Sequence, residues 1–94
     1  MSQDVMEQLR SKKNELLKKY PIQSLAVFGS YSRGDQTTES DVDILVDFSK
    51  PVGIEFLLLA HELEDLLGKK VDLVTRKAIK QDYFTLIAKD LRYV

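Results

Sequence analysis

Apolar residues at helical spacing open the chain. Val5, Leu9, Leu16 and Tyr20 share one stripe between Lys-rich polar positions, which predicts a helix over residues 4–19 that Pro21 brings to an end. The short run Leu25-Ala26-Val27-Phe28 then stops at Gly29-Ser30, the pattern of a strand running into a sharp turn. Residues 41–48, Asp-Val-Asp-Ile-Leu-Val-Asp-Phe, are rich in Ile, Leu and Val after an acidic start and read as a buried strand entered at its polar end. A second helix is expected over residues 53–67, closed by Gly68, followed by a third strand from Lys69 to Thr75. Residues 77–91 give a third helix, with Ile79, Tyr83, Ile87 and Leu91 along one stripe.

The order helix, strand, loop, strand, helix, strand, helix defines an α+β chain, a small mixed β-sheet packed with helices. No repeat, low-complexity tract or linker divides it, so one domain over residues 1–94 is expected. A helical crossover between the second and third strands predicts that these two are parallel and joined right-handedly. The second helix is more apolar than one buried face requires, because Ile54, Phe56, Leu57, Leu58, Leu59, Leu63, Leu66 and Leu67 cover a wide arc. Either sheet and neighbouring helices bury all of it, or part of it faces a partner.

Asp41 and Asp43 change the picture from fold to chemistry. Successive side chains of a strand alternate in direction, so these two acids emerge on one side, one pleat apart, and two oxygen ligands are expected to converge on one point. The parallel third strand brings Asp72 to the same sheet edge. Three carboxylates there can hold two cations about 3.5–4 Å apart. With no Cys and a single His, at position 61, the oxygen donors favour Mg²⁺ or Mn²⁺ over zinc. Ahead of the acids, Gly29 lets backbone approach a ligand, and Ser30 adds a hydroxyl to the backbone N–H groups of a turn suited to phosphate. Arg33 fits either a forked contact to phosphate oxygens or a surface ion pair with Asp35 or Glu39. Each acid also has a plainer reading: Ser40-Asp41-Val42-Asp43 as a polar turn feeding a strand, Asp72 as an edge-strand residue facing water. Asp47 shares the face by parity but lies too far along the strand, and His61 reads as a solvated helix position.

Lys and Arg total 14 against 15 Asp and Glu, so net charge gives no reason to expect nucleic acid as the main partner. The absence of Cys excludes a disulfide framework and a thiol nucleophile and fits a cytoplasmic protein. Met-Ser-Gln-Asp-Val lacks the basic start and apolar core of a secretory signal, and no stretch is apolar for long enough to span a membrane.

Gly29-Ser30-Tyr31-Ser32-Arg33-Gly34, Ser40-Asp41-Val42-Asp43-Ile44-Leu45-Val46 and Val71-Asp72-Leu73-Val74 together resemble the minimal nucleotidyltransferase (MNT) domain of the DNA polymerase β superfamily. Gly-Ser, ten residues, Asp-x-Asp and a later third Asp form a specific combination, and the similarity spans essentially the whole chain. Within that superfamily the chain is most similar to the antitoxin half of prokaryotic HEPN/MNT toxin–antitoxin pairs. The resemblance implies a nucleotidyltransferase (DNA polymerase β-like) fold and transfer of AMP from ATP to a tyrosine of a partner HEPN ribonuclease, with Mg²⁺ at the three acids. It also implies that Ser30 contacts nucleotide phosphate, that Asp41 and Asp43 hold metal, and that Asp72 helps bind one metal and activates the attacking hydroxyl. Gly29, Arg33 and Ser40 join Ser30 as the expected nucleotide-binding set. Position 32, often Ala in this motif, is Ser here.

A domain this small encloses a nucleotide poorly, so a second subunit or protein is expected to supply the missing wall, in a hetero-oligomer or a homodimer. Two other functions suit the same residues: an antitoxin that acts by occlusion alone, and one subunit of an enzyme that modifies an antibiotic hydroxyl.

Overall fold

The computed structural model describes residues 4–94. Helix α1, Val5–Lys19, starts where the Asp4 carboxylate accepts the Met6 N–H at 3.1 Å, capping one of the amides that a helix start leaves free. Strand β1, Ile22–Phe28, runs into the one-turn helix α2, Ser30–Arg33. Strand β2 is Val42–Phe48, helix α3 Ile54–Leu67 and strand β3 Val71–Thr75. Helix α4, Gln81–Ala88, and the two-residue strand β4, Arg92–Tyr93, complete the chain.

The four strands lie in the order β3-β2-β1-β4, with β2 and β3 parallel, as the helical crossover predicts, and the other pairs antiparallel. The two faces of the sheet follow from alternation. Leu25, Val27, Val42, Ile44, Val46, Val71 and Leu73 point to one side and form the main core with Leu9 and Leu16 of α1 and Leu59, Leu63 and Leu67 of α3. Ala26, Phe28 and Leu45 are also buried but belong to the other face, where the Tyr83 ring of α4 meets Phe28 edge-on at 6.5 Å. Tyr20 fixes α1 to α3, its hydroxyl donating to Glu62 at 2.9 Å; burial, and then Glu62, pushes the Tyr20 pKa up to about 12. Gly68 closes α3 at φ 63, and Glu64 spans the junction, its carboxylate accepting the Val71 N–H at 3.0 Å.

Three departures from the sequence reading have local causes. The loop after β1 holds α2, too short to show a period. The last helix begins at Gln81 because Arg76 N–H still bonds to Val46 O at 2.9 Å and Thr75 then closes a turn onto Ala78, so Ile79 precedes the helix. It ends at Ala88, leaving Leu91 outside, and β4 is added through two register pairs, Ala26 with Tyr93 and Val27 with Arg92. The wide apolar arc of α3 is only partly buried: Ile54, Leu57 and Leu58 are 64%, 53% and 51% exposed. Among the described residues, no helix is long and apolar enough to cross a membrane.

Leu63 of α3, fully buried in the core that α3 forms with α1 and the sheet, tests where stability resides. Leu63→Ala is expected to lower the free energy of unfolding by about 2–5 kcal/mol in urea titrations. A change below about 1 kcal/mol would contradict a core centred on this layer.

Candidate active site

Three backbone rows converge at one end of the sheet. Phe28 pairs with Asp43 across the antiparallel β1–β2 ladder, and Asp43 pairs with Asp72 across the parallel β2–β3 ladder, so Asp43 and Asp72 stand side by side on the face opposite the main core. Asp41 lies just ahead of β2, where the Val42 N–H bonds to Lys70 O at 2.9 Å and ties this entrance to the start of β3. Backbone register therefore gathers the three acids at one edge. Their side chains do not meet at one point: among the described residues no three His, Cys, Asp or Glu side chains form a cluster able to hold a metal ion. Asp41 and Asp72 are both exposed, and like charges free to rotate in water spread apart. The expected convergence of oxygens is thus a property of the backbone, not of these side-chain positions.

Asp43 is the half-buried member. Burial, then the neighbouring charges of Asp72 and Asp41, push its pKa above the ordinary carboxylate range, with Arg33 acting in the opposite direction. All three acids thus interact electrostatically at this carboxylate. Hard oxygen donors, surplus negative charge and no Cys fit a divalent cation such as Mg²⁺.

The turn between β1 and α2 is built against the same carboxylate. Gly29 has φ 73 and ψ −151, a conformation open to glycine, and a Cβ there would stand 3.2 Å from Asp43 Cγ and inside contact distance of Oδ2. The backbone approaches the acid this closely only because the side chain is absent. Arg33 Nε and Nη1 donate to Asp35 at 3.1 Å and Asp90 at 3.0 Å, bonds that hold the guanidinium pKa above its ordinary value. The ion pair with Asp35 matches the plainer reading of Arg33, and Asp90 takes the second place given to Glu39. The Ser40 hydroxyl is engaged locally, accepting the Thr37 N–H at 2.9 Å, and so braces the loop that delivers Asp41. Beside Asp41 runs a groove of about 370 Å³ lined by Tyr31, Thr38, Ser40, Lys69 and Lys70. Asp47 pairs with Ser24 farther along β2, away from this edge, and His61 is exposed on α3. Asp90 was not legible in the sequence, since its partner Arg33 lies 57 residues away.

Residues 9–93 match the family model described as a nucleotidyltransferase domain, so the chain belongs to that family, has the minimal nucleotidyltransferase fold and is a nucleotidyltransferase. It is 40% identical over 87 residues to the protein adenylyltransferase MntA of Thermococcus cleftensis, covering 92% of this chain and 88% of that one. It is 47% identical over 95 aligned positions to MJ1379 of Methanocaldococcus jannaschii, which carries the protein adenylyltransferase name provisionally, covering 97% of this chain and 95% of that one. Among solved structures, a chain of a toxin–antitoxin crystal structure with AMP-PNP superposes with a TM-score of 0.74 at 29% identity, over 88% of this chain and 69% of that one.

The raised pKa of Asp43 has a measurable sign. Asp43 binds its proton more tightly folded than unfolded, so its ionisation opposes folding. That cost is absent below the ordinary aspartate pKa of about 3.9 and grows as pH rises through the higher folded value. Relative to the natural chain, Asp43→Asn is expected to gain urea stability across this acid window, the gain levelling off above it. A stability difference that stays flat over the whole window would remove the electrostatic account.

Proposed function

We propose that this chain is an antitoxin nucleotidyltransferase that transfers AMP from ATP to a tyrosine hydroxyl of a partner HEPN ribonuclease. The observation that carries the reading is the join between Gly29 and Asp43, which sets a glycine turn directly against a carboxylate that feels the charges of Asp41 and Asp72. The named activity of the Thermococcus relative and the AMP-PNP toxin–antitoxin complex support the donor and the biological setting.

In this reading Gly29, Ser30 and Arg33 receive the triphosphate, backbone N–H groups and the guanidinium answering its negative charge. Ser40 acts at one remove, holding the loop that presents Asp41. Asp41 and Asp72, exposed and free to rotate toward Asp43, would hold Mg²⁺ together with it, two ions in the full complement, whose charge would offset that of the triphosphate. Asp72, exposed on an outer strand, meets the acceptor and takes the proton of its hydroxyl. The hydroxyl oxygen bonds to the α-phosphorus as the bond from that phosphorus to the bridging oxygen breaks, so the acceptor gains AMP and pyrophosphate leaves. Positioning and charge carry this chemistry, with no covalent intermediate on the protein. The partner supplies the acceptor and the wall that this small chain lacks.

The exposed Ile54, Leu57 and Leu58 of α3 keep a second reading alive, an antitoxin that acts by occlusion alone. Co-expressed partner incubated with this chain, Mg²⁺ and α-labelled ATP separates the two. Label is expected on a partner tyrosine, and Asp41→Asn combined with Asp43→Asn is expected to cut transfer at least about a thousandfold while leaving the far-UV spectrum and the complex intact. A stable complex with no label transferred would favour occlusion.

A further inference from the structure

The turn that carries Gly29 and Ser30 is fastened to the far end of the chain at one residue. Asp90, in the turn after α4, accepts Arg33 Nη1 at 3.0 Å, and its backbone carbonyl accepts the Ser32 hydroxyl. Two neighbours in α2, one cationic and one neutral, therefore bond to the same distant residue. Asp90 is itself anchored: its N–H bonds to Ile87 O at 2.9 Å, and Arg92, two residues on, pairs with Val27 of β1.

Asp35 also binds Arg33, but the two carboxylates differ in what they fix. Asp35 lies two residues along the same loop with its side chain 60% exposed, whereas that of Asp90 is only 16% exposed and sits on a separate segment. Both pairs share a half-exposed guanidinium, and water and salt weaken the first more than the second because Asp90 is the less hydrated acid. A bond to Asp35 lets Arg33 move with its loop; a bond to Asp90 ties it to the sheet. A guanidinium has five N–H donors. Asp90 uses one on Nη1, while Asp35 is reached from Nε at 3.1 Å and Nη2 at 3.5 Å, so donors stay available for phosphate oxygens without breaking the Asp90 bond.

We propose that Asp90 is a positioning residue for nucleotide binding, holding in place the Arg33 guanidinium and the Gly29–Arg33 segment, whose Gly29 abuts Asp43, through paired bonds to Arg33 and Ser32. The role in nucleotide binding rests on the function proposed above; the mechanical tie does not. The tie acts on the bound triphosphate in the ground state and the transition state alike, so its loss raises KM and leaves kcat in place.

Asp90→Asn, Asp90→Glu and Asp35→Asn, each in the full chain with its partner, provide the test. Asp90→Asn is expected to raise KM for ATP about tenfold, the scale of one charge-assisted hydrogen bond, with kcat within about twofold. Asp90→Glu, which restores the carboxylate, is expected to recover most of the loss, and Asp35→Asn to stay near the natural value. Amide hydrogen exchange of the free chain reads the tie without catalysis: Asp90→Asn is expected to speed exchange at Arg33 and Gly34 while leaving Ile44 unchanged. An unaltered KM in Asp90→Asn, an equal change in Asp35→Asn, or a fall in kcat and melting temperature at constant KM would overturn the positioning role. If the natural chain neither binds nor transfers nucleotide, the functional reading fails, and exchange at Arg33 and Gly34 decides whether the tie exists.

Discussion

Mutual repulsion among Asp41, Asp43 and Asp72 is the force that this sheet edge has to hold. Nothing about the carboxylates themselves draws them together; Asp43 and Asp72 are neighbours because β2 and β3 pair in register, and that pairing follows from burial of the alternate side chains beneath them. Val42, Ile44, Val71 and Leu73 face α1 and α3 on one side while the acids stand on the other. Stability is generated on one face and used on the opposite face to confine charge. The excess charge then becomes a standing demand for a counterion, felt most by Asp43, the least hydrated of the three.

The other elements around this edge limit how the demand is met. Gly29 removes the side chain that would separate backbone from Asp43, so amide dipoles and carboxylate share one small volume. Arg33 adds positive charge close enough to be felt at Asp43, yet it is held by two acids of its own and does not collapse onto it. Phe28, buried at the end of the same row, gives Asp43 an apolar neighbour, with the half-exposed Tyr83 ring edge-on against it.

Much of this was legible from the residues. The helical period located α1, apolar runs located β1, β2 and β3, Gly68 marked the end of α3, and the crossover argument gave the parallel pair. Gly29-Ser30 and Asp-x-Asp marked the place of the turn and the acids. What stayed hidden depends on very few residues or on distance along the chain. β4 is two residues long and exists only because β1 offers a free edge, α2 is a single turn, and Asp90 finds Arg33 only after the sheet has formed. The spread of the acidic side chains was equally out of reach, since alternation fixes where a Cβ points and not where a carboxylate settles among like charges.

β3 lies at the outer margin of the sheet with one row of backbone groups unpaired, the kind of margin along which a second chain can add a strand. It is only five residues long, it is preceded by Lys69 and Lys70, and it carries an exposed Asp72 at its second position. A second copy docking there would bring its own charged margin into the same dry ladder. The exposed Asp72 carboxylate therefore sets a charge on the margin itself, which opposes fibre-like association, and an uncharged residue there would remove that guard.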